Sequence, residues 1–262
     1  MLTSTHVPGG PNWLDLGTPD IDAAVSFYRG IFGWEFESAG PDAGGYGFFR
    51  VDGRTVGAVG PLTEEGAGSA WTVYFRTTDA DATAKAVEQA GGAVRFGPFD
   101  VFSAGRMAGF TDPAGARFAV WQPGDVQGLD LVNAPGSVSW IELYTTDATA
   151  AKDFYRTVFS WETRDMPMGE ELVYTVAGPA GGGVESMHGG IMQLPAENLA
   201  AGSGSEWHPY FEVVDCDATV AAAAERGATL IIPAVDAPGI GRLAMLLDPF
   251  GAPFAVITSA PV

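Results

Sequence analysis

Two alternating kinds of hydrophobic pattern run along the chain. In the first strand-like run, Leu14 and Leu16 share one face, whereas Trp13 and Asp15 share the other, as in a strand with one covered side. The next segment, Ile21–Phe32, places apolar residues at helical spacing, which predicts an amphipathic helix. Short β-rich runs with Gly and Pro turns follow it. The pattern therefore predicts a unit of one strand, one helix and about three strands.

This unit recurs along the chain. Residues 13–35 align without a gap to residues 140–162, with twelve identities in 23 positions. The block that begins at Trp71 and the block that begins at Gly105 each recur 136 residues later. We therefore expect two homologous halves, 1–124 and 137–262, joined by a linker at 125–136 that contains Gly and Pro. The predicted modules lie near 11–60, 70–122, 138–194 and 206–258.

The predicted helices share the same start signal. An aspartate precedes each one, and its carboxylate can accept hydrogen bonds from the N–H groups of the first turn. These residues are Asp20, Asp79, Asp147 and Asp215. Gly91 and Gly227 can adopt the left-handed conformation that ends a helix. The predicted fold class is α+β, with four βαβββ modules in two tandem domains.

Two motifs link this pattern to a known family. F-Y-R-x-x-F-x-W occurs on the first helix of each half, and D-P-x-G precedes the last strand of each half. Four βαβββ modules with these motifs resemble the vicinal oxygen chelate superfamily, which includes glyoxalase I, bleomycin-resistance proteins and extradiol dioxygenases. The resemblance covers nearly the whole chain and is strongest to tandem actinobacterial members labelled hydroxylase or glyoxalase-like.

The resemblance implies that two modules together form a U-shaped sheet around a cavity. The cavity can form within each half, or across the halves by pairing module one with four and two with three. The length of the linker favours the arrangement within each half. Across the halves, Asp15 would approach His208, and Glu142 would approach Arg76.

Strand alternation predicts which side chains face such a cavity. Asp15, Glu142 and His208 are the candidates for acid or base chemistry, because a carboxylate on a partly apolar surface has a raised pKa. The candidate ligand-binding residues are Trp13, Tyr74, Arg76, Trp140, Tyr144, Tyr210 and Glu212. As a set, these aromatic groups favour binding of a planar ligand.

Metal-dependent members of the family place a His or Gln on the first strand of a module and a Glu on its last strand. The corresponding positions here are Trp13, Thr72, Trp140, His208, Ala119 and Ala255. Only His208 can bind a metal, and a mononuclear centre normally takes about three protein ligands. The sequence therefore predicts no metal site of the family type and no cofactor. The alternative is a rebuilt site from Glu142, His188, His208 and Glu212.

Several residues have structural interpretations beside the functional ones. Asp15 can form an ion pair with Arg76, and His208 can hydrogen-bond a neighbour. Packing is expected for Trp34, Trp161, Trp71 and Trp207, and salt bridges for Arg106 and Arg242. We expect His188 to be exposed at a strand start and His6 to lie in a frayed tail. Cys216 begins a helix, where the dipole lowers a thiol pKa, but the first half has alanine at that position.

The composition of the chain excludes several classes of partner and of fold. The chain has 32 acidic and 13 basic residues, a formal net charge of -19, and a single cysteine. This charge argues against nucleic acid and anionic membranes as partners, since both attract Lys and Arg. One cysteine excludes a disulfide scaffold. Without a signal peptide or a membrane span in the sequence, we expect a cytoplasmic protein.

Three functions remain. The first is a protein that binds an aromatic or polycyclic metabolite or drug, in the manner of the bleomycin-resistance relatives. The second is a metal-independent hydroxylase, isomerase or lyase of secondary metabolism, with Asp15, Glu142 or His208 as acid or base. The third is a protein whose acidic surface recognises a basic partner. A homodimer formed through sheet edges is compatible with each of them.

Overall fold

The computed structural model describes residues 2–64, 66–168 and 172–261. In the first half the elements are β1 (Pro11–Thr18), α1 (Ile21–Phe32), β2 (Glu35–Ser38), β3 (Gly47–Val51), β4 (Arg54–Pro61), β5 (Ala70–Arg76), α2 (Ala80–Gln89), β6 (Ala93–Val101), β7 (Gly105–Thr111) and β8 (Arg117–Pro123). In the second half they are β9 (Val138–Thr145), α3 (Ala148–Phe159), β10 (Trp161–Met168), β11 (Leu172–Pro179), β12 (Gly189–Gln193), α4 (Ala196–Ala200), β13 (Glu206–Glu212), α5 (Cys216–Glu225), β14 (Thr229–Ala237), β15 (Gly241–Leu247) and β16 (Pro253–Ser259). Short 3-10 helices occur at Pro41–Ala43 and Val184–Ser186.

Each half contributes one eight-stranded sheet. The strand order is β2-β3-β4-β1-β5-β8-β7-β6 in the first sheet and β10-β11-β12-β9-β13-β16-β15-β14 in the second. Each sheet is mixed, because β1 runs parallel to β4 and β9 runs parallel to β12. The sheets are therefore built within the halves, and the predicted α+β class is confirmed.

The compact units of the chain follow a different division. One unit contains the N-terminal residues to Trp13 together with Val73–Gly128 and Trp140–Trp207. The other contains Leu14–Thr72, Leu129–Ser139 and the C-terminal residues from His208. Within the predicted linker, Leu129 and Leu131 are buried, and the Asp130 carboxylate accepts a hydrogen bond from the Thr55 N–H at 2.9 Å. None of the described helices is long and apolar enough to span a membrane.

The helix start signals act as predicted. All four aspartates accept a hydrogen bond from the backbone three residues on: Asp20 from Ala23, Asp79 from Ala82, Asp147 from Ala150 and Asp215 from Ala218. Helix α1 has the bounds that the hydrophobic spacing predicts, and α3 has the bounds that the gapless alignment of the two halves then gives. Gly91 and Gly227 have φ values of 88° and 92°, so the left-handed turn occurs one residue beyond the α2 cap and one beyond the α5 cap.

Aromatic stacks form the core of each unit. In one unit the Trp161 ring lies 4.9 Å from the Tyr155 ring at an interplanar angle of 18°. In the other, Trp34 stacks on Tyr28 at 5.5 Å and 18°. Trp34, Trp161, Trp71 and Trp207 are all buried. The prediction that these tryptophans pack in the core is confirmed.

A buried Tyr–Asp hydrogen bond joins the two family motifs in each unit. The Tyr155 hydroxyl donates to Asp112 at 3.2 Å and accepts from the Trp207 indole at 3.0 Å. Asp112 also accepts the N–H groups of Ala114 and Ala116. Burial raises the pKa of Tyr155 well above its ordinary value, and it raises the pKa of Asp112 as well.

The other unit repeats this arrangement with Tyr28, Asp248 and Trp71. The Tyr28 hydroxyl donates to Asp248 at 3.2 Å and accepts from the Trp71 indole at 3.0 Å. The F-Y-R and D-P-x-G motifs thus supply the two ends of a buried structural hydrogen bond in each unit.

Candidate ligand-binding site

Strand β9 places a carboxylate among aromatic side chains. Ile141 and Leu143 are fully buried, as strand alternation predicts for the covered side of β9. Trp140, Glu142 and Tyr144 alternate with them and share the other face of the strand. Glu142 is 4% exposed, whereas Trp140 and Tyr144 are half-buried. The rings therefore present surface beside a buried carboxylate.

A tyrosine on another strand completes this group. Tyr174 lies on β11, and its hydroxyl accepts the Trp140 indole N–H at 2.9 Å. The same hydroxyl is hydrogen-bonded to the Glu142 carboxylate, so the phenol is the donor in that bond. Burial raises the pKa of Tyr174 well above its ordinary value, and the charge of Glu142 raises it further. Tyr174 therefore remains a neutral phenol.

A glycine on β12 makes room for this contact. Gly190 pairs with Glu142 of β9, and Met192, two residues further along β12, pairs with Tyr174 of β11. A Cβ atom at Gly190 would collide with the Tyr174 hydroxyl. The phenol of Tyr174 thus crosses β12 above Gly190 to reach β9.

The first half has a related but less aromatic arrangement. The Tyr46 hydroxyl donates to Asp15 at 3.2 Å, and a Cβ atom at Gly60 would lie 2.7 Å from the Tyr46 ring. Gly17 occupies the position that corresponds to Tyr144. Trp13 is 7% exposed, so most of its ring is already packed. The second half therefore offers the larger accessible aromatic surface.

The remaining predicted residues have different environments. Tyr74 and Tyr210 are buried and lie beside Ala119 and Ala255 on the paired strands. Arg76 is half-buried, and His208 is 5% exposed. The Glu212 carboxylate accepts hydrogen bonds from the backbone N–H of Ser259 at 3.0 Å and from its hydroxyl at 2.6 Å. Glu212 thus holds the end of β16, and its ligand-binding role remains a prediction.

Sequence reasoning missed Tyr46 and Tyr174. Tyr174 lies on β11 and Tyr46 directly precedes β3, and the sequence predicted both segments only as β-rich runs. The strand pairing contains the signal. Asp15 on β1 and Glu142 on β9 each pair with a residue of the next strand, β4 or β12, and that residue pairs in turn with a residue of β3 or β11. Each tyrosine stands two residues before this last residue. Reading that signal requires the strand register.

Comparison with known proteins identifies the family. Residues 10–120 match the model described as Glyoxalase/Bleomycin resistance protein/Dioxygenase superfamily, and residues 140–257 match a Glyoxalase-like domain. The chain belongs to this superfamily. It is 42% identical to the anthracycline biosynthesis protein DauV of Streptomyces sp. (strain C5) and 41% identical to DnrV of Streptomyces peucetius. Both alignments cover 95% of this chain and 93% of the relative.

A solved structure shows the same fold. The 2,3-dioxygenase LapB from Pseudomonas sp. KL28 superposes with a TM-score of 0.64 and 13% identity, over 98% of this chain and 94% of that one. The tandem glyoxalase-like architecture that the sequence predicts is therefore confirmed.

The donor set does not fit a metal centre of the family type. Ala119 and Ala255 occupy the last-strand positions at which a carboxylate would be needed, and a methyl group cannot coordinate a metal. Among the described residues, no three His, Cys, Asp or Glu side chains come together in a geometry that could hold a metal ion. The rebuilt site from Glu142, His188, His208 and Glu212 is therefore not assembled within that part of the chain.

The structure corrects two histidine predictions. His188 is 3% exposed and packs edge-on against Trp161, with ring centroids 4.9 Å apart. Its backbone N–H donates to the carbonyl of Ala177 on β11. This bond holds the segment before β12 beside β11, and the His188 side chain is therefore buried. His6 is 7% exposed and lies next to Gly128, where a Cβ atom would collide with its ring. Neither histidine is therefore exposed or frayed.

The predictions for the two matched arginines and for the cysteine have different outcomes. Arg106 forms salt bridges with Asp81 and Asp100, and Arg242 forms them with Asp217 and Asp236, as expected. Burial raises the pKa of the Cys216 thiol to about 11, and neighbouring Asp217 adds to this effect. The expectation of a lowered thiol pKa at this helix start was wrong.

Two surface clefts are lined by residues other than those of the aromatic face. One, of about 560 Å³, is lined by Arg156, Ser160, Trp161, Glu162 and Thr163. The other, of about 450 Å³, is lined by Thr18, Pro19, Asp20, Ile21, Asp22, Phe36, Ser38, Gly45 and Pro61. Neither lining includes a predicted ligand-binding residue.

Acid should destabilise the protein through His188. Burial lowers the pKa of His188 from 6.5 to about 3, so below pH 6.5 the unfolded chain binds a proton that the folded protein does not. The contribution of the neutral, buried His188 to the free energy of unfolding is complete above pH 6.5 and is lost as the pH drops toward 3. Each pH unit costs about 1.4 kcal/mol, so lowering the pH from 6.5 to 4.5 costs about 2.5 kcal/mol at this residue.

The variant His188→Phe keeps an aromatic ring against Trp161 and removes the titration. In urea unfolding at pH 6.5 and 4.5, it should lose about 2.5 kcal/mol less than the natural protein between these pH values. Parallel losses in the two proteins would show that the folded and unfolded chains bind the same proton at His188, so that burial does not lower its pKa.

Proposed function

We propose that the protein binds an aromatic or polycyclic metabolite without a family-type metal site. The ligand lies on the second-half face formed by Trp140, Tyr144 and Tyr174 around Glu142. One observation carries this proposal. A face of half-buried aromatic side chains surrounds a buried carboxylate in a chain that is 42% identical to an anthracycline biosynthesis protein. By that relationship, the ligand class we propose is the polycyclic aromatic polyketides.

The chemistry of the face suits such a ligand. Aromatic rings offer large, rigid contact areas and favourable ring-to-ring geometries. Apolar surface with a few placed polar groups is typical of small-molecule sites. The net charge of -19 and the Glu142 carboxylate disfavour an anionic ligand. We therefore expect a neutral or cationic molecule.

The donor set supports the metal-free part of the proposal. A single histidine at the family-type positions cannot supply the three ligands that a catalytic centre takes. Ring stacking and hydrogen bonding are then the interactions that hold the ligand.

Calorimetric titration with a tetracyclic anthracyclinone tests this function. We expect saturable binding, and we expect Trp140→Leu to weaken it about tenfold, because aromatic pairs contribute roughly 0.5–1.5 kcal/mol beyond the area they bury. Phe102→Ser is the control, since Phe102 is 86% exposed on the β6–β7 turn and lies outside the site. Absence of binding by the natural protein would refute the proposal. Equal affinity of the Trp140→Leu variant would refute the location.

The enzyme alternative rests on the Tyr174–Glu142 hydrogen bond. A buried carboxylate beside a bound ligand is placed to take or give a proton. In that case Glu142 is the base, and the ligand is a carbon acid such as a β-dicarbonyl. Incubation of the same anthracyclinone in D₂O separates the two functions. Enzyme-dependent deuterium uptake or product formation, lost in Glu142→Gln, favours the enzyme, whereas an unchanged ligand favours the binding protein.

A further inference from the structure

A separate group of aromatic and apolar side chains lies on strands β5 to β8 of the first half. Strand pairing aligns Arg76 with Trp121, and Trp121 with Met107. Met107 pairs in turn with Phe99, whose ring centroid lies 6.1 Å from that of Phe96. Paired residues of neighbouring strands point to the same side of a sheet. These five residues therefore share one surface, the Arg76 face.

The Arg76 face combines a fixed floor with accessible rings. Trp121 is 7% exposed, and its indole N–H donates to the Val126 carbonyl at 2.8 Å. A Cβ atom at Gly109 would collide with the Phe96 ring, so that ring lies across the glycine. Phe96 is half-buried, and Phe99 is 45% exposed. A flat ligand can therefore reach the outer rings while the indole stays in place.

The half-buried Arg76 side chain has no polar partner within the described part of the chain. Its backbone bonds to Gly9 and Gly10, but its guanidinium forms no ion pair and no side-chain hydrogen bond with a described residue. Arg106 and Arg242, by contrast, each form two salt bridges. A partly buried charge that lacks a counter-ion binds an anion favourably, because the anion replaces lost hydration.

The duplication of the chain provides an internal comparison for this face. At an offset of 136 residues, the second half has Glu212, Ile257, Leu243, Val235 and Ile232 in place of Arg76, Trp121, Met107, Phe99 and Phe96. Arg95, whose guanidinium lies 5.8 Å from the centroid of the Phe96 ring, is matched by Ile231. The same strands thus form with aliphatic side chains and a carboxylate. The sheet does not need the rings and the arginines in order to fold.

From these observations we infer that the Arg76 face is a second binding site, and that its ligand is a planar aromatic carboxylate. The guanidinium fork matches a carboxylate with two parallel N–H···O bonds. The phenylalanine rings and the Met107 thioether suit the flat apolar part of such a ligand. This site shares no residue with the second-half face of the proposed function, and it prefers the opposite charge.

The net charge of -19 does not oppose this preference. Charges farther away than about 8 Å are largely screened at physiological ionic strength. Asp100, which follows Phe99, already bonds to Arg106 at 2.9 Å. The Arg76 guanidinium therefore sets the charge that a bound ligand meets.

Fluorescence titration of the full-length protein at pH 7 tests the inference with two probes. Anthracene-2-carboxylate and anthracene-2-carboxamide have the same shape, but only the first is an anion. We expect the carboxylate to bind at least tenfold more tightly, and Arg76→Gln to lower its affinity to that of the amide. Arg54→Gln is the matched control, because it removes the same charge from a side chain that is 50% exposed outside the face. It should leave the preference unchanged.

Two further variants locate the carboxylate. Phe99→Val introduces the residue that the second half has at this position, and it should weaken carboxylate binding about threefold, because ring contact is lost. Trp140→Leu alters only the second-half face and should leave carboxylate binding unchanged.

Each contrary result overturns the inference. Equal affinities of the two probes for the natural protein, or no binding of the carboxylate, would show that the face does not select an anion. A preference that survives in Arg76→Gln, or that Trp140→Leu removes, would place the carboxylate elsewhere. The anthracyclinone titration is independent of these outcomes, so failure of this inference and failure of the proposed function are distinguishable.

Discussion

Replacing Trp161 with alanine should lower the free energy of unfolding by about 4 kcal/mol, the range found for large aromatic residues in cores. Trp161 is 1% exposed and stacks on Tyr155, and its indole N–H donates to the Gly9 carbonyl at 2.7 Å. Alanine removes the stack and leaves a cavity next to the buried His188. Urea unfolding monitored by circular dichroism measures the change.

Two further variants control this result. Trp34→Ala should cost a similar amount, because Trp34 has the same burial, a stack on Tyr28 and an indole bond to Gly136 at 2.7 Å in the other unit. Trp161→Phe keeps part of the stack and should cost roughly half as much as alanine. A loss below about 1 kcal/mol for Trp161→Ala would mean that the aromatic stack is not part of the stable core.

Asp112→Ala should lower the free energy of unfolding by about 3 kcal/mol, because several buried donors lose their acceptor at once. The Tyr155 hydroxyl and the N–H groups of Ala114 and Ala116 all bond to this carboxylate. Part of the loss is recovered, since burial of the carboxylate is itself unfavourable and raises its pKa. Chemical unfolding at pH 7 gives the difference.

Matched substitutions distinguish the hydrogen bonds from the charge. Asp112→Asn keeps an acceptor for the turn and should cost less than alanine. Asp248→Ala should reproduce the effect in the other unit, where Tyr28 is the donor. If alanine and asparagine are equally tolerated at residue 112, the D-P-x-G motif has a role other than this buried bond.

Local features of this fold could be predicted from the sequence. The N-cap aspartates depend on residues within one turn, and the bounds of α1 follow from the spacing of its apolar residues. The duplication indicates two homologous halves, because Trp13 and Trp140 begin segments that align without a gap, and each half forms one sheet. Each of these signals lies within a short stretch of the sequence.

Features that depend on distant partners could not be predicted. Strand alternation shows that Ile141 and Leu143 are covered, but it does not show which element covers them. Each sheet belongs to one half, whereas the compact units combine parts of both halves. No local pattern of polarity distinguishes these two levels of organisation.

The candidate site shows the same limit. Glu142, Trp140 and Tyr144 were predicted because they alternate along one strand. Tyr174 was missed because its contact with Glu142 depends on the register of β11, β12 and β9 and on the absence of a side chain at Gly190. His188 was misjudged because the burial of this histidine, which directly precedes β12, depends on Trp161, which is distant in the sequence.

The central claim is that this chain holds a polycyclic aromatic ligand on the Trp140–Glu142–Tyr174 face without a family-type metal. Native mass spectrometry of the purified protein titrated with an anthracyclinone, with elemental analysis of the same sample, tests it most directly. We predict one ligand per chain with less than about a tenth of an equivalent of transition metal, as expected where the ligand set is missing. A ligand adduct that forms only with a full equivalent of metal, or no adduct at all, would contradict the account.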